Sequence, residues 1–186
     1  LFEPMTDPYK HRRKNLFMMD QGKVKGLRLV DCEVKELPRE ITLLASLEIL
    51  ELENTGPTTL SEDLEGLRCL RKISIKSNPI KTLPKAVGNL VSLEVLKIDQ
   101  CNLNSLPASL GNLRSLKRLK IRDAPSLKIL PNSLGCLNRL EEIVIERAGL
   151  KLLPETINTL KSLSSLTLKK CPLESLPESI GRLRKM

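Results

Sequence analysis

One leucine pattern recurs seven times in this chain, with starts at Leu27, Leu50, Ile73, Leu96, Leu119, Ile143 and Leu166. The step is 23 residues, apart from a single step of 24 between Leu119 and Ile143. One copy reads LEVLKIDQCNLNSLPASLGNL and another LSSLTLKKCPLESLPESIGRL. A unit this short cannot enclose a core of its own. It buries its apolar edge only against the units before and after it, which makes the chain a solenoid. Solenoids present long, shallow surfaces, and such surfaces suit binding better than chemistry.

The physics of one unit follows from its spacings. The opening L-x-L has period two and reads as a short strand with both apolar residues facing the core. Stacked units set these strands side by side as one parallel sheet, about 4.8 Å apart. In the second half the leucines fall at steps of three, as at Leu106, Leu110, Leu113 and Leu116, which suits a 3₁₀ or short helical turn. Proline stands at the start of that turn in six of the seven units: Pro38, Pro84, Pro107, Pro131, Pro154 and Pro177. Its fixed φ and missing N–H suit the place. Repeat two has Ser61 there instead. Glycine at Gly88, Gly111, Gly135 and Gly181 reads as the exit from the turn. The expected fold is an α/β solenoid, with the parallel sheet on the concave side and short 3₁₀ or helical turns on the convex side.

The first 26 residues depart from the pattern. Met18 and Val24 fall in phase with the outer turn of a preceding unit, so 16–26 reads as a degenerate half-repeat and 1–15 as a flank. The seven units from 27 to 186 form the repeat domain, the last one truncated. All three aromatics, Phe2, Tyr9 and Phe17, lie before the first unit and are expected to cover the open end of the core. The chain opens at Leu1 and stops at Met186 partway through repeat seven, which reads as a piece of a longer protein.

Five cysteines bear on the compartment. Cys32, Cys101 and Cys171 share one repeat column with Thr55, Asn78 and Ala148, and are expected to be buried and reduced. Cys69 and Cys136 fall outside that column and are the thiols expected to react first. An odd count without paired spacing fits a reducing, intracellular setting, as does the absence of an N-x-S/T acceptor. There is no CxxC, and the only histidine is His11, so no metal site and no cofactor is expected. No glycine-rich phosphate loop and no base beside a nucleophile is present, so the segment is expected not to be an enzyme. No apolar run approaches a membrane span.

The sheet's outward positions lie one before, one after and three after each repeat start. Repeats three to five place Lys72, Ser74 and Lys76, then Val95, Lys97 and Asp99, then Arg118, Lys120 and Arg122 there. Repeats two and six bring Glu51, Glu53, Glu142 and Glu146 to the same columns. The concave face therefore reads as a basic centre between acidic margins. Lys72, Lys76, Lys97, Arg118, Lys120 and Arg122 are the candidate partner-binding residues. With a net charge of +9, an acidic protein surface is the expected partner. Nucleic acid is disfavoured, because no aromatic follows Phe17 to stack a base.

The repeated L-x-x-L-P unit resembles the leucine-rich-repeat family. Its LPxSLGxLxxL form is similar to the intracellular Ras-group repeat proteins. The APSLKILPNSLGCL unit resembles the repeats of plant immune receptors. The repeat domains of bacterial effectors injected into plant cells are similar too, some of them joined to a ubiquitin-ligase domain. The resemblance implies non-catalytic protein recognition within a larger intracellular protein. Three settings follow from it: a binding module, the substrate-recognition part of an effector ubiquitin ligase acting in the host cytoplasm, or an autoinhibitory or sensor domain of an immune receptor.

Overall fold

The computed structural model describes residues 16–34 and 37–183. Eight strands form one open sheet in chain order: β1 Leu16–Asp20, β2 Lys23–Val30, β3 Ile49–Glu53, β4 Lys72–Lys76, β5 Val95–Asp99, β6 Arg118–Ala124, β7 Glu142–Ala148 and β8 Ser165–Lys169. From β2 to β8 every pairing is parallel, and the repeat starts share one register: Leu27 meets Leu50, which meets Ile73, and so on to Leu166. A one-residue slip would turn each apolar pair out to solvent, so core burial itself fixes this register. Leu50, Ile73, Leu96, Leu119 and Ile143 have no exposed surface.

The returning half of each unit carries the 3₁₀ turns. Those at Lys85–Asn89, Ala108–Asn112, Asn132–Cys136 and Glu155–Thr159 each follow a proline at φ between −66° and −69°. The proline carbonyl accepts the first hydrogen bond of the turn, as from Leu110 N–H to Pro107 O at 3.0 Å. Repeat two, with Ser61 in the proline column, has only a three-residue turn, Leu64–Gly66.

The glycines do not mark the exit. Gly88, Gly111 and Gly135 lie inside their turns, and none of them has positive φ. A Cβ on Gly88 would come 2.5 Å from the carbonyl oxygen of Ser109 in the next unit, and one on Gly111 2.5 Å from that of Ser133. Glycine is required because neighbouring coils touch there. Hydroxyls bridge the same seam: Ser109 Oγ donates to Lys85 O, Thr156 Oγ1 to Asn132 O and Ser179 Oγ to Glu155 O, each at 2.7 Å.

Residues 16–26 are not a half-repeat. β1 pairs antiparallel with β2 through a two-residue turn at Gln21 and Gly22, both at positive φ (46° and 75°). That geometry is the hairpin turn whose twist matches the strands. Met18 and Val24 therefore lie on strands, not on an outer turn. Phe17 remains 62% exposed and does not seal the core end. Phe2 and Tyr9 lie outside the described residues.

The fifth-step column is mixed. Cys101 is buried, whereas Cys32 and Cys171 are half-exposed, which corrects the expectation of three buried thiols. They sit in the first and last of the described units. Ala124 fills this column in the 24-residue unit, paired with Ala148.

Candidate partner-binding face

Alternation along β2 to β8 sends every second side chain to the concave face. Lys72 and Lys76 come from β4, Lys97 from β5, and Arg118, Lys120 and Arg122 from β6. Register places Lys97 beside Lys120, and Val95 beside Arg118 and Lys72. The six candidate residues thus lie on three adjacent strands of one face.

Four of these six cations are ion-paired within that face. Lys72 Nζ is 2.6 Å from Glu51 Oε1, and Lys76 Nζ is 2.6 Å from Glu53 Oε1. Arg28 reaches the same two carboxylates, at 3.7 and 3.1 Å. On the other side Lys120 Nζ lies 2.8 Å from Glu142 Oε1, and Arg122 Nε 3.3 Å from Glu146 Oε2. The acidic strands β3 and β7 are therefore counter-ions to the basic centre, more than margins around it. The bond from Lys76, followed by that from Arg28, holds the Glu53 carboxyl below the usual range.

Lys97 and Arg118 differ from the other four. Neither has an acidic partner among the described residues. Partial burial pushes the Lys97 ammonium down from its ordinary pKa, and the charges of Lys72, Lys120 and Arg118 push it further. Ser74 stands beside Lys97 on β4 and is half-buried.

Two features of this face and its flank escaped the sequence reading. Asp99 holds one of the outward positions expected from alternation, yet one of its carboxylate oxygens is buried without a hydrogen-bond partner among the described residues. Away from the sheet, Ile129, Leu152 and Leu176 stay exposed beside Pro131, Pro154 and Pro177, forming an apolar groove across repeats five to seven. Apolar residues just before L-P in KILP and KLLP were the available signal.

Cys69 and Cys136 are exposed, and burial pushes the Cys101 thiol up. Among the described residues no three His, Cys, Asp or Glu side chains converge on a metal-sized site. Among them also, no helix is long and apolar enough to cross a membrane.

The family described as a leucine-rich repeat region matches residues 60–151. The chain is similar to that family over those residues, and its open sheet of parallel strands with 3₁₀ turns is the leucine-rich-repeat fold. Leucine-rich repeats are a protein-interaction fold, and such domains are non-catalytic recognition modules. No curated protein sequence matches this chain. Among solved structures it is similar to the leucine-rich repeat domain of the type III effector XopL, at 28% identity and a TM-score of 0.68 over 86% of this chain and 66% of that one. A leucine-rich-repeat protein of Leptospira interrogans matches at 24% identity and a TM-score of 0.59, over 84% of this chain. The chain spans only 45% of that protein. The Toll–Spätzle complex of Drosophila matches at 23% identity and a TM-score of 0.67, with 75% of this chain and 19% of that one covered. The last two likenesses concern the fold alone.

Proposed function

We propose that this leucine-rich-repeat chain is the recognition domain of a larger intracellular protein, and that its concave sheet binds the acidic surface of a partner protein. The observation that carries this reading is the pair Lys97 and Arg118. Four of the six concave cations have a carboxylate of their own within 3.3 Å. Lys97 and Arg118 have none within ion-pair distance among the described residues, and partial burial, followed by the charges of Lys72, Lys120 and Arg118, disfavours the Lys97 ammonium more than Glu51 favours it. An acidic partner would relieve that field and be steered toward it. The face has few aromatic anchors, so affinity rests on charge and falls as salt rises.

Reversing Lys97 and Arg118 to Glu tests this directly. Affinity capture followed by calorimetry should show a partner that binds the parent protein and binds the double reversal at least about tenfold more weakly. Reversing Arg139 on the convex side should leave binding unchanged. Equal binding by the parent and the K97E/R118E variant, with loss on R139E, would move the site to the outer turns. Lys120 and Arg122 are poorer probes, because reversing them also breaks their bonds to Glu142 and Glu146.

The likeness to the XopL repeat domain favours a second reading, in which the whole protein is an effector injected into a host cell. In that setting the repeats would select substrates for a ubiquitin-ligase domain elsewhere in the chain. A ubiquitination assay on the full-length protein decides it: transfer that depends on Lys97 and Arg118 supports the reading, and absence of transfer rejects it.

A further inference from the structure

The centre of the concave face is a grid of six side chains on three strands. In one row lie Lys72, Val95 and Arg118; in the next lie Ser74, Lys97 and Lys120. Four cations thus surround two short side chains, Ser74 and Val95, which leave a shallow seat between them. No carboxylate projects from within the grid. The two outer cations are held from outside it, Lys72 by Glu51 and Lys120 by Glu142. Lys97 and Arg118 remain, one strand apart and both bordering Val95.

The charge balance of this seat selects among acidic ligands. Between β6 and β7 Glu142 matches Lys120 and Glu146 matches Arg122, while on β3 Glu51 and Glu53 serve Arg28, Lys72 and Lys76. Here two uncompensated cations meet at one point, so a single carboxylate would leave one of them unmatched. A phosphate monoester carries nearly two negative charges near neutral pH and three acceptor oxygens. Lys97 supplies a point charge, Arg118 a planar fork of donors, and Ser74 a hydroxyl with no hydrogen bond to any described residue.

We propose that this seat holds a phosphorylated serine or threonine of the partner protein, its phosphate bonded by Lys97 and Arg118 with the Ser74 hydroxyl as third donor. The proposal rests on the concave-face reading above and narrows it from an acidic surface to one modified side chain. Lys72 and Lys120, already tied to glutamates, set the potential around the seat without leaving their partners.

The test uses the whole chain and three degenerate nine-residue peptide libraries that differ only at the centre, which is phosphoserine, glutamate or serine. The phosphoserine library should be retained at least about tenfold better than the glutamate library, since charge-assisted bonds to a dianion exceed those to a single carboxylate. Lys97→Met and Arg118→Leu should each bring retention down to the level of the serine library, while Lys169→Met on β8 should leave it unchanged. Thermal unfolding of each variant shows whether the fold persists, as expected for the exposed Arg118 and Lys169 and the half-buried Lys97. Equal retention of the phosphoserine and glutamate libraries would overturn the phosphate assignment and leave the acidic-partner reading standing. Phosphoserine retention that survives both central substitutions would overturn the seat. Retention of neither charged library above the serine library would overturn both readings.

Discussion

Asn78 ties neighbouring coils together through more hydrogen bonds than a cysteine or alanine of its column can make. Its Nδ2 donates to Leu52 O at 3.1 Å and Lys76 O at 2.8 Å. Its Oδ1 accepts from Thr55 N at 2.9 Å, Thr55 Oγ1 at 3.0 Å and Gly56 N at 3.0 Å. The residue is only 3% exposed, so water cannot replace these partners. Asn78→Ala should therefore destabilise the chain by about 2–4 kcal/mol in urea unfolding, because several buried groups lose their partner together. Cys101 stands in the same column one coil on, and its Sγ donates to Asp99 O at 3.3 Å and also meets the backbone of Asn78. Burial raises its pKa, which lowers its thiolate fraction. A thiol-labelling time course on the folded protein should modify the exposed Cys69 and Cys136 first and Cys101 last, with the half-exposed Cys32 and Cys171 between. Cys101 labelling as fast as Cys136 would contradict this ordering.

The 24-residue unit shows how a single element absorbs an irregularity. The extra residue makes a tight turn at Pro125 and Ser126, closed by Leu127 N–H to Ala124 O at 3.1 Å. The next coil must then pass close by: a Cβ on Gly149 would stand 2.0 Å from Pro125 O. Gly149→Ala should cost about 1–3 kcal/mol through forced backbone movement. A denaturation curve beside the parent's checks this. Periodicity made the strands, their register and the proline starts legible, since each depends on residues at fixed spacing. The turning corner after each strand was not legible. Asp31, Asn54, Ser77, Gln100, Asp123, Arg147 and Lys170 all take φ of 50–54°, although only asparagine and aspartate favour that region. There the closed coil imposes the backbone and overrides residue preference. The hairpin at Gln21 and Gly22 was hidden for a different reason, because Met18 and Val24 happen to fall in repeat phase. The six concave cations could be placed from strand alternation alone. Their ion pairs could not, because reach between strands depends on side-chain rotamers.

Across the whole molecule, one column alternates in sign from coil to coil: Lys25, Glu48, Arg71, Glu94, Lys117 and Glu141. Lys25 Nζ lies 2.6 Å from Glu48, and Glu94 is bonded by both Arg71 and Lys117, the latter at 2.8 Å. A coil stacked out of order would set like charges together, so the column also disfavours misstacking. These bonds link stability to pH. Hydrogen bonds from Lys117 and Arg71 lower the Glu94 pKa, the bond from Lys25 lowers that of Glu48, and the bond from Arg147 lowers that of Asp123. A carboxyl lowered in the folded state contributes stability that is fully present above its unfolded pKa of about 4 and lost as pH falls through the folded value. Lys25, Lys76 and Lys151 are raised, chiefly by bonds to Glu48, Glu53 and Glu174, so their contribution is lost only as pH climbs past about 10.4. Stability should therefore be level across neutral pH and fall below about pH 4. The acid fall is steepened by the net charge of +9, which grows as carboxylates protonate. Glu94→Gln removes one titrating group that serves two cations, so its urea midpoint should sit below the parent's at pH 7 and approach it near pH 2. Added salt should narrow the gap at pH 7, because both cations, Arg71 and Lys117, are substantially exposed. A gap that stays constant from pH 7 to pH 2 would mean that Glu94 contributes by packing instead of charge.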